Sequence, residues 1–176
     1  MAVAVAIDPR RVVEHAEELA RHQSGAGRPR PIWLRRAVSA AYYAVFHAFA
    51  LRVAGQVLPH GSAVDRQRLT RSLEHTALRE VCQWVIGSPG AGKKHVQPIV
   101  ASLQSDPAVR QLASITFRLQ EARHLADYDH LAAFDKASTL SSVNEAKVVL
   151  DRLDALAGGP NLEQLLALIA LHSKLR

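Results

Sequence analysis

Twice this chain places Asp-Pro directly ahead of apolar residues at helical spacing, at Asp8-Pro9 and at Asp106-Pro107. An Asp side chain accepts the orphan amide protons of a first helical turn. Proline suits the next position because its missing N–H would find no partner there. Behind the first start, Val12, Val13, Ala16, Leu19 and Ala20 form one stripe that runs out near His22. Behind the second, Val109, Leu112, Thr116, Leu119, Ala122 and Ala126 form another. No stretch shows the period-two alternation and tight turn of a hairpin, so every long segment reads as helix and the chain is expected to be all-α. Aromatic residues make up only 5% of it, and Ala and Leu dominate, which favours helices over sheets.

The remaining segments fit the same scheme. Residues 23–31, with two Gly, two Pro and two Arg, read as a linker. A second helix is expected from Pro31 to about Val53, with Ile32, Ala37, Ala41, Val45, Phe49 and Val53 inward. Ala40, Ala44 and Ala48 add a stripe of small residues that lets a neighbouring helix approach closely. Asp65 reads as the cap of a third helix running, with room for a bend, to Ile86, and Gly87–Pro98 as a loop. Ser138 or Thr139 would start a fifth helix after the one at Asp106, and Gly158-Gly159-Pro160 would end it. Asn161 would cap a final segment, Leu162–Leu175. That segment is apolar nearly all round and must be covered by the core or by a second subunit. The expectation is one domain of 176 residues: an up-and-down bundle of four to five helices with an extra C-terminal helix.

Composition narrows the setting. A single cysteine, Cys82, allows neither an internal disulfide framework nor a Cys-based zinc site, and suits a reducing, cytoplasmic compartment. No uninterrupted apolar run reaches about 18 residues, so no membrane span is expected. The formal charge of +6 is uneven, +7 over residues 1–105 and −1 over residues 106–176. A basic half suits a polyanion such as RNA, or an acidic protein. His15, His22, His60, His75, His95 and His172 show no metal-binding spacing, and no metal or other cofactor is expected.

One loop imitates a nucleotide site. Gly87-Ser88-Pro89-Gly90-Ala91-Gly92-Lys93-Lys94 has the glycine spacing of a phosphate-binding loop, but Lys94 stands where the Mg²⁺-binding hydroxyl belongs. It reads better as a basic loop in which Lys93, Lys94 and His95 could meet a polyanion.

Chemistry concentrates in Phe117–His130. Arg123, Asp127 and His130 lie at i, i+4 and i+7, on one face of a helix that continues that far, and His124 and Tyr128 form the next stripe. A cation, a carboxylate and an imidazole so placed could hold a phosphate and move a proton. The same residues also make an ordinary polar helix end with an Arg–Asp pair and two solvated histidines. On the second helix, Tyr43 and His47 lie four apart on an otherwise apolar surface.

Two blocks carry a resemblance. Ala40-Ala41-Tyr42-Tyr43-Ala44-Val45-Phe46-His47-Ala48 resembles the Ala-Tyr-Tyr-Ala-x-Phe-His-Ala helix of HEPN-domain proteins. Arg123-His124-Leu125-Ala126-Asp127-Tyr128 resembles the Arg-x-x-Ala-Asp-Tyr block late in the same domain. The likeness covers roughly residues 8–156, with 161–175 as the added helix. It implies a helical bundle that homodimerises. It also implies a metal-independent RNase of the toxin kind, paired with a nucleotidyltransferase-type antitoxin, or else a non-catalytic dimerisation, nucleotide-binding or partner-binding module. In the RNase case it implies Arg123 and His130 as the catalytic pair. Asp127, Tyr128, His124, Tyr43 and His47 would support them, and Lys93, Lys94 and Arg118 would contact RNA. Many relatives of this branch carry Tyr, as at Tyr128, where the nucleases carry the catalytic His.

Overall fold

The computed structural model describes residues 7–22 and 31–174, and its regular structure is wholly helical. In order it forms α1 (Pro9–Arg21), α2 (Pro31–Val57), α3 (Ala63–Thr70), α4 (His75–Ile86), α5 (Gln97–Ser105), α6 (Pro107–Tyr128), α7 (Lys136–Ala155) and α8 (Pro160–Leu171), closed by a 3₁₀ turn at His172–Lys174. The apolar opening, the linker over 23–30 and the end of the last segment at Leu175 lie outside the described residues.

Both Asp-Pro starts behave as their chemistry requires. Asp8 accepts from the Arg10 amide at 2.9 Å, and Asp106 accepts from the amides of Ala108 and Val109 at 2.9 and 3.2 Å. Three other boundaries differ from expectation, and so does the number of helices. The segment expected as one helix from Asp65 is two. Its cap is Ser62, whose hydroxyl takes the Asp65 amide at 3.2 Å and donates to the Asp65 carboxylate at 2.6 Å. The break follows where Thr70 and Ser72 turn their hydroxyls onto the carbonyls of Gln67 and Leu69, competing with the helical ladder. The fifth expected helix starts earlier, capped by Asp135 through the Ser138 amide at 2.8 Å. The final helix starts at Pro160, with Gly159 as its cap. Asn161 instead donates to Asp106 at 2.7 Å, tying the start of α8 to the start of α6. The nine-residue helix α5 was not expected; its buried residues Val100 and Leu103 make a stripe too short to fix a period, and Pro98 sits in its first turn.

The core is organised by α2, which packs against α1, α3, α6, α7 and α8. Thirteen of its 27 residues are buried, among them Tyr42, Val45, Phe49 and Val53. By length and hydropathy α2 could also cross a membrane, although no uninterrupted apolar run marks it, but 67% of its most apolar window is buried within the fold, as in a core helix. Ile32, expected inward, is 51% exposed because it lies in the first turn, beyond the neighbouring helices. The small residues Ala44 and Ala48 are buried, as are Ala16 and Ala20 of α1, which packs along α2. Leu162, Leu165, Leu166, Leu168 and Ile169 of α8 are buried by this chain's own core, so the apolar final helix needs no second subunit to cover it.

The end of α6 is fixed from α2. Arg35 donates to the carbonyls of Ala126 (3.0 Å), Asp129 (2.8 Å) and Ala132 (2.6 Å), with longer bonds to Leu125 and His130. These include carbonyls that a helix end leaves without intrahelical partners, and a guanidinium suits the negative end of the helix dipole. Its charge also lies 5.4 Å from the centre of the Phe134 ring. Arg35→Ala is expected to destabilise the fold by about 2 kcal/mol, because several carbonyls lose a charged donor at once. Chemical denaturation would show it, and amide exchange should quicken first over residues 125–132.

Candidate functional site

The last turns of α6 and the middle of α2 meet around Arg123. Its Nε lies 2.5 Å from Asp127 Oδ2, the i,i+4 pair read from the sequence. Its Nη2 donates to Tyr43 Oη at 2.7 Å. The guanidinium carbon lies 5.3 Å from the centre of the Tyr43 ring and 5.4 Å from that of Tyr128. Asp127 in turn accepts a short hydrogen bond from Ser39 Oγ. The Arg123 side chain is 15% exposed, so this cation is held in one orientation by a carboxylate, a phenol and two ring faces. An open groove of about 580 Å³ is lined by the residues that hold this cation, Tyr43, Asp127 and Tyr128, together with Ile32, Arg35 and Arg36, while Arg123 itself does not line it.

On the other side of Tyr43 lie two imidazoles. The His75 ring is 5.6 Å from the Tyr43 ring and that of His47 is 6.3 Å from it. His75 stacks on Phe46 at 3.8 Å, and its Nδ1 is 2.8 Å from the hydroxyl of buried Tyr42. Burial lowers the pKa of both rings below the ordinary 6.5; for His75 the nearby charges of Arg123 and His47 lower it further. Burial pushes the Tyr42 phenol well up, so it stays protonated. A second cavity, of about 520 Å³, opens onto these rings between α2, α3 and α4.

Of the residues expected at the site, Arg123, Asp127, Tyr128 and Tyr43 come together, with His47 beside them. His124 touches only the Tyr128 ring, at 5.1 Å, on the exposed side. His130 does not share the helical face of Arg123. The helix ends at Tyr128, Asp129 is extended (φ −96°, ψ 104°), and its carboxylate takes the Leu131 amide at 2.8 Å in a side-chain turn. The His130 ring is exposed and makes no hydrogen bond or ring contact among the described residues. Arg118 is committed elsewhere, to Glu145 at 2.6 Å. Lys93 and Lys94 are exposed in the loop after α4, whereas His75 opens that helix. Twelve residues of helix put them about 18 Å apart along α4.

The glycine-rich loop follows a helix rather than a strand. Gly90 and Gly92 hold φ of 85° and 81°, and a Cβ on Gly92 would meet the Trp84 ring at 3.4 Å, so this glycine serves a turn against Trp84. Cys82 is wholly buried, its thiol pushed up to about 12, and is no nucleophile. Among the described residues no three His, Cys, Asp or Glu side chains cluster as metal ligands.

Four residues of the site escaped the sequence reading: Arg35, Ser39, Tyr42 and His75. Arg35, Ser39, Tyr43 and His47 recur every four positions along α2, a polar stripe on an apolar helix that was there to be seen. His75 lies 33 positions from Tyr42 and carries no local signal.

No family model matches this chain, and no curated protein or solved structure matches it.

The depressed histidines give a pH dependence. As pH falls below 6.5, the unfolded chain takes up protons that folded His47 and His75 resist, so stability falls until the folded rings titrate. His47→Gln with His75→Gln should flatten that acid-side loss, as read by denaturation midpoints between about pH 5 and 8. A slope equal to that of the wild type would show that neither ring is held neutral.

Proposed function

We propose that this chain is a metal-independent RNA endonuclease of the HEPN type, built as a four- to five-helix core with added short helices, and the toxin component of a toxin–antitoxin or antiviral system. In this reading it works in the cytoplasm as a homodimer and is held by a nucleotidyltransferase-type antitoxin. The observation that carries it is Arg123, a permanent cation fixed by Asp127, Tyr43 and Tyr128, three residues that line a groove with Arg35 and Arg36. Among the described residues its Nη1 has no hydrogen-bond partner, which leaves a donor for a phosphate oxygen. The large apolar residues left exposed around the end of α6, namely Ile32, Leu125, Tyr128 and Leu131, offer a face for the second copy.

In the reaction the RNA 2′-oxygen bonds to phosphorus and the bond to the 5′-oxygen breaks. The products are a 2′,3′-cyclic phosphate and a 5′-hydroxyl. Arg123 offsets the charge that grows on the phosphoryl oxygens. His130, from the motif spacing, is the general base that takes the 2′-hydroxyl proton or the acid that protonates the leaving 5′-oxygen, with water as the other partner. Tyr128, 61% exposed, is free to stack on a base.

A second reading draws on a specific observation. The charge of Arg123 is already balanced by Asp127, and His130 lies past the helix end, which suits a non-catalytic dimerisation or partner-binding module.

Mixed tRNA incubated in EDTA separates the two. The nuclease leaves cyclic-phosphate ends. Arg123→Ala should lower the rate by about 10²–10³, and His130→Ala by about 10²–10⁴. His124→Ala should do less, and all three should melt near the wild type. Wild-type protein that cleaves nothing over varied pH and RNA leaves the binding module. Sedimentation at micromolar concentration should give a dimer burying well over about 1,000 Å², and a monomer would remove the composite cleft.

A further inference from the structure

Tyr42 decides which ring nitrogen of His75 carries the proton. Its hydroxyl is buried, and its one hydrogen-bond partner among the described residues is His75 Nδ1, at 2.8 Å. Burial keeps the phenol protonated, and a buried O–H must find an acceptor, so Tyr42 donates to Nδ1. Burial, with the charges of Arg123 and His47 nearby, also lowers the His75 pKa. The ring is therefore neutral at pH 7, and its single proton stands on Nε2. Among the described residues that Nε2–H has no hydrogen-bond partner, and it is not sealed in the core.

The ring lines the cavity of about 520 Å³ between α2, α3 and α4. Small-molecule sites take about 300–1,000 Å³. Part of this wall is apolar, with Phe46 and Leu51 from α2, Leu73 ahead of α4, and Ile7. The polar part offers donors: His75 Nε2–H, the amide of half-buried Gln67, and the Arg71 guanidinium. No Asp or Glu lines it. Two neighbours are already committed. Arg66 donates to the carbonyls of Leu58 and Pro59, and Thr70 to that of Gln67. Arg71 is exposed and, among the described residues, has no hydrogen-bond or ion-pair partner. The cavity shares no lining residue with the groove formed by Tyr43, Asp127 and Tyr128.

We propose that the cavity between α2, α3 and α4 binds a small monocarboxylate with an apolar, ring-sized body. The body covers Phe46, Leu51 and Leu73, an apolar surface that gains by leaving water. The carboxylate accepts from Arg71 and from His75 Nε2–H. One guanidinium without a partner matches one negative charge, and its planar fork fits a carboxylate edge. A wall of donors with no carboxylate on it favours an anion over a neutral or cationic ligand. The site is separate from the groove on which the nuclease reading rests, so neither depends on the other.

The test uses the full chain and 1-naphthylacetate as the probe, with binding followed by calorimetry. The probe should bind saturably at one site. Its uncharged analogue 1-naphthylacetamide should bind at least about tenfold more weakly, and Arg71→Ala should weaken the carboxylate about 10- to 100-fold while leaving the amide unchanged. Leu51→Trp, at a partly exposed position that the fold can spare, should weaken both by blocking the apolar wall. Acetate alone, lacking the body, should not compete. In ¹⁵N NMR the His75 ring should show a bare Nδ1 and a protonated Nε2, and the Nε2 signal should move as the probe binds. Failure of 1-naphthylacetate to bind overturns the proposal, as does equal binding of acid and amide. So does binding that neither Arg71→Ala nor Leu51→Trp alters, since the probe then sits elsewhere. A proton found on Nδ1 removes the donor and the proposal with it. Displacement of the probe by 5′-AMP at lower concentration than by another arylcarboxylate would make this a phosphate site instead. RNA cleavage by the wild type is scored separately, and its presence or absence leaves these outcomes unchanged.

Discussion

A helix with nearly half of its residues buried leaves little solvent for the polar side chains along its flank, and that constraint shapes this molecule around α2. Its polar groups must find partners on other helices or stay costly. Arg35 finds the carbonyls at the end of α6, Ser39 finds Asp127, Tyr43 finds Arg123, and Tyr42 finds His75. These four contacts reach two other helices, α4 and α6, and fix their relation to the core. The site is thus a product of the same burial that organises the fold. Its groups are polar because one face of α2 is polar, and they are oriented because almost nothing else there can satisfy them.

This arrangement sets the electrostatics in opposite directions on the two sides of Tyr43. Arg123 cannot lose its proton, and Asp127 lies against it, so burial there is met by pairing. Among the described residues His47 and His75 have no carboxylate partner, and burial holds their pKa values below the ordinary one.

Much of the fold was legible because its signals are local. Asp8, Asp106 and their prolines announced two helices, and helical period announced α2, α7 and α8, but not the short α5. What failed was of two kinds. At Ser62 and Asp135 the cap lay a few residues before the residue that looked most like one, since several Ser, Thr and Asp side chains compete there, and at Gly159 the helix starts on Pro160, ahead of Asn161. Between Asp65 and Ile86 the apolar pattern continued through a break made by the hydroxyls of Thr70 and Ser72, which periodicity does not register. At the site, the i,i+4 pair of Arg123 and Asp127 was readable, being local. The role of Arg35 was not, because its partners are carbonyls 90 to 97 positions away.

His130 shows how the two kinds of failure meet. Its place in the motif assumes that α6 continues, but Asp129 turns its own carboxylate onto the Leu131 amide, and Arg35 collects the carbonyls that this turn sets free. The helix ends one turn after Arg123, so the imidazole that spacing assigns to the cation is carried off the shared face. The imidazoles that remain near the cation come from α2 and α4. Sequence spacing can assign partners within one helix. Across helices the assignment belongs to burial, and here burial brings His75, fixed by Tyr42 and Phe46, to the other side of the phenol that holds Arg123.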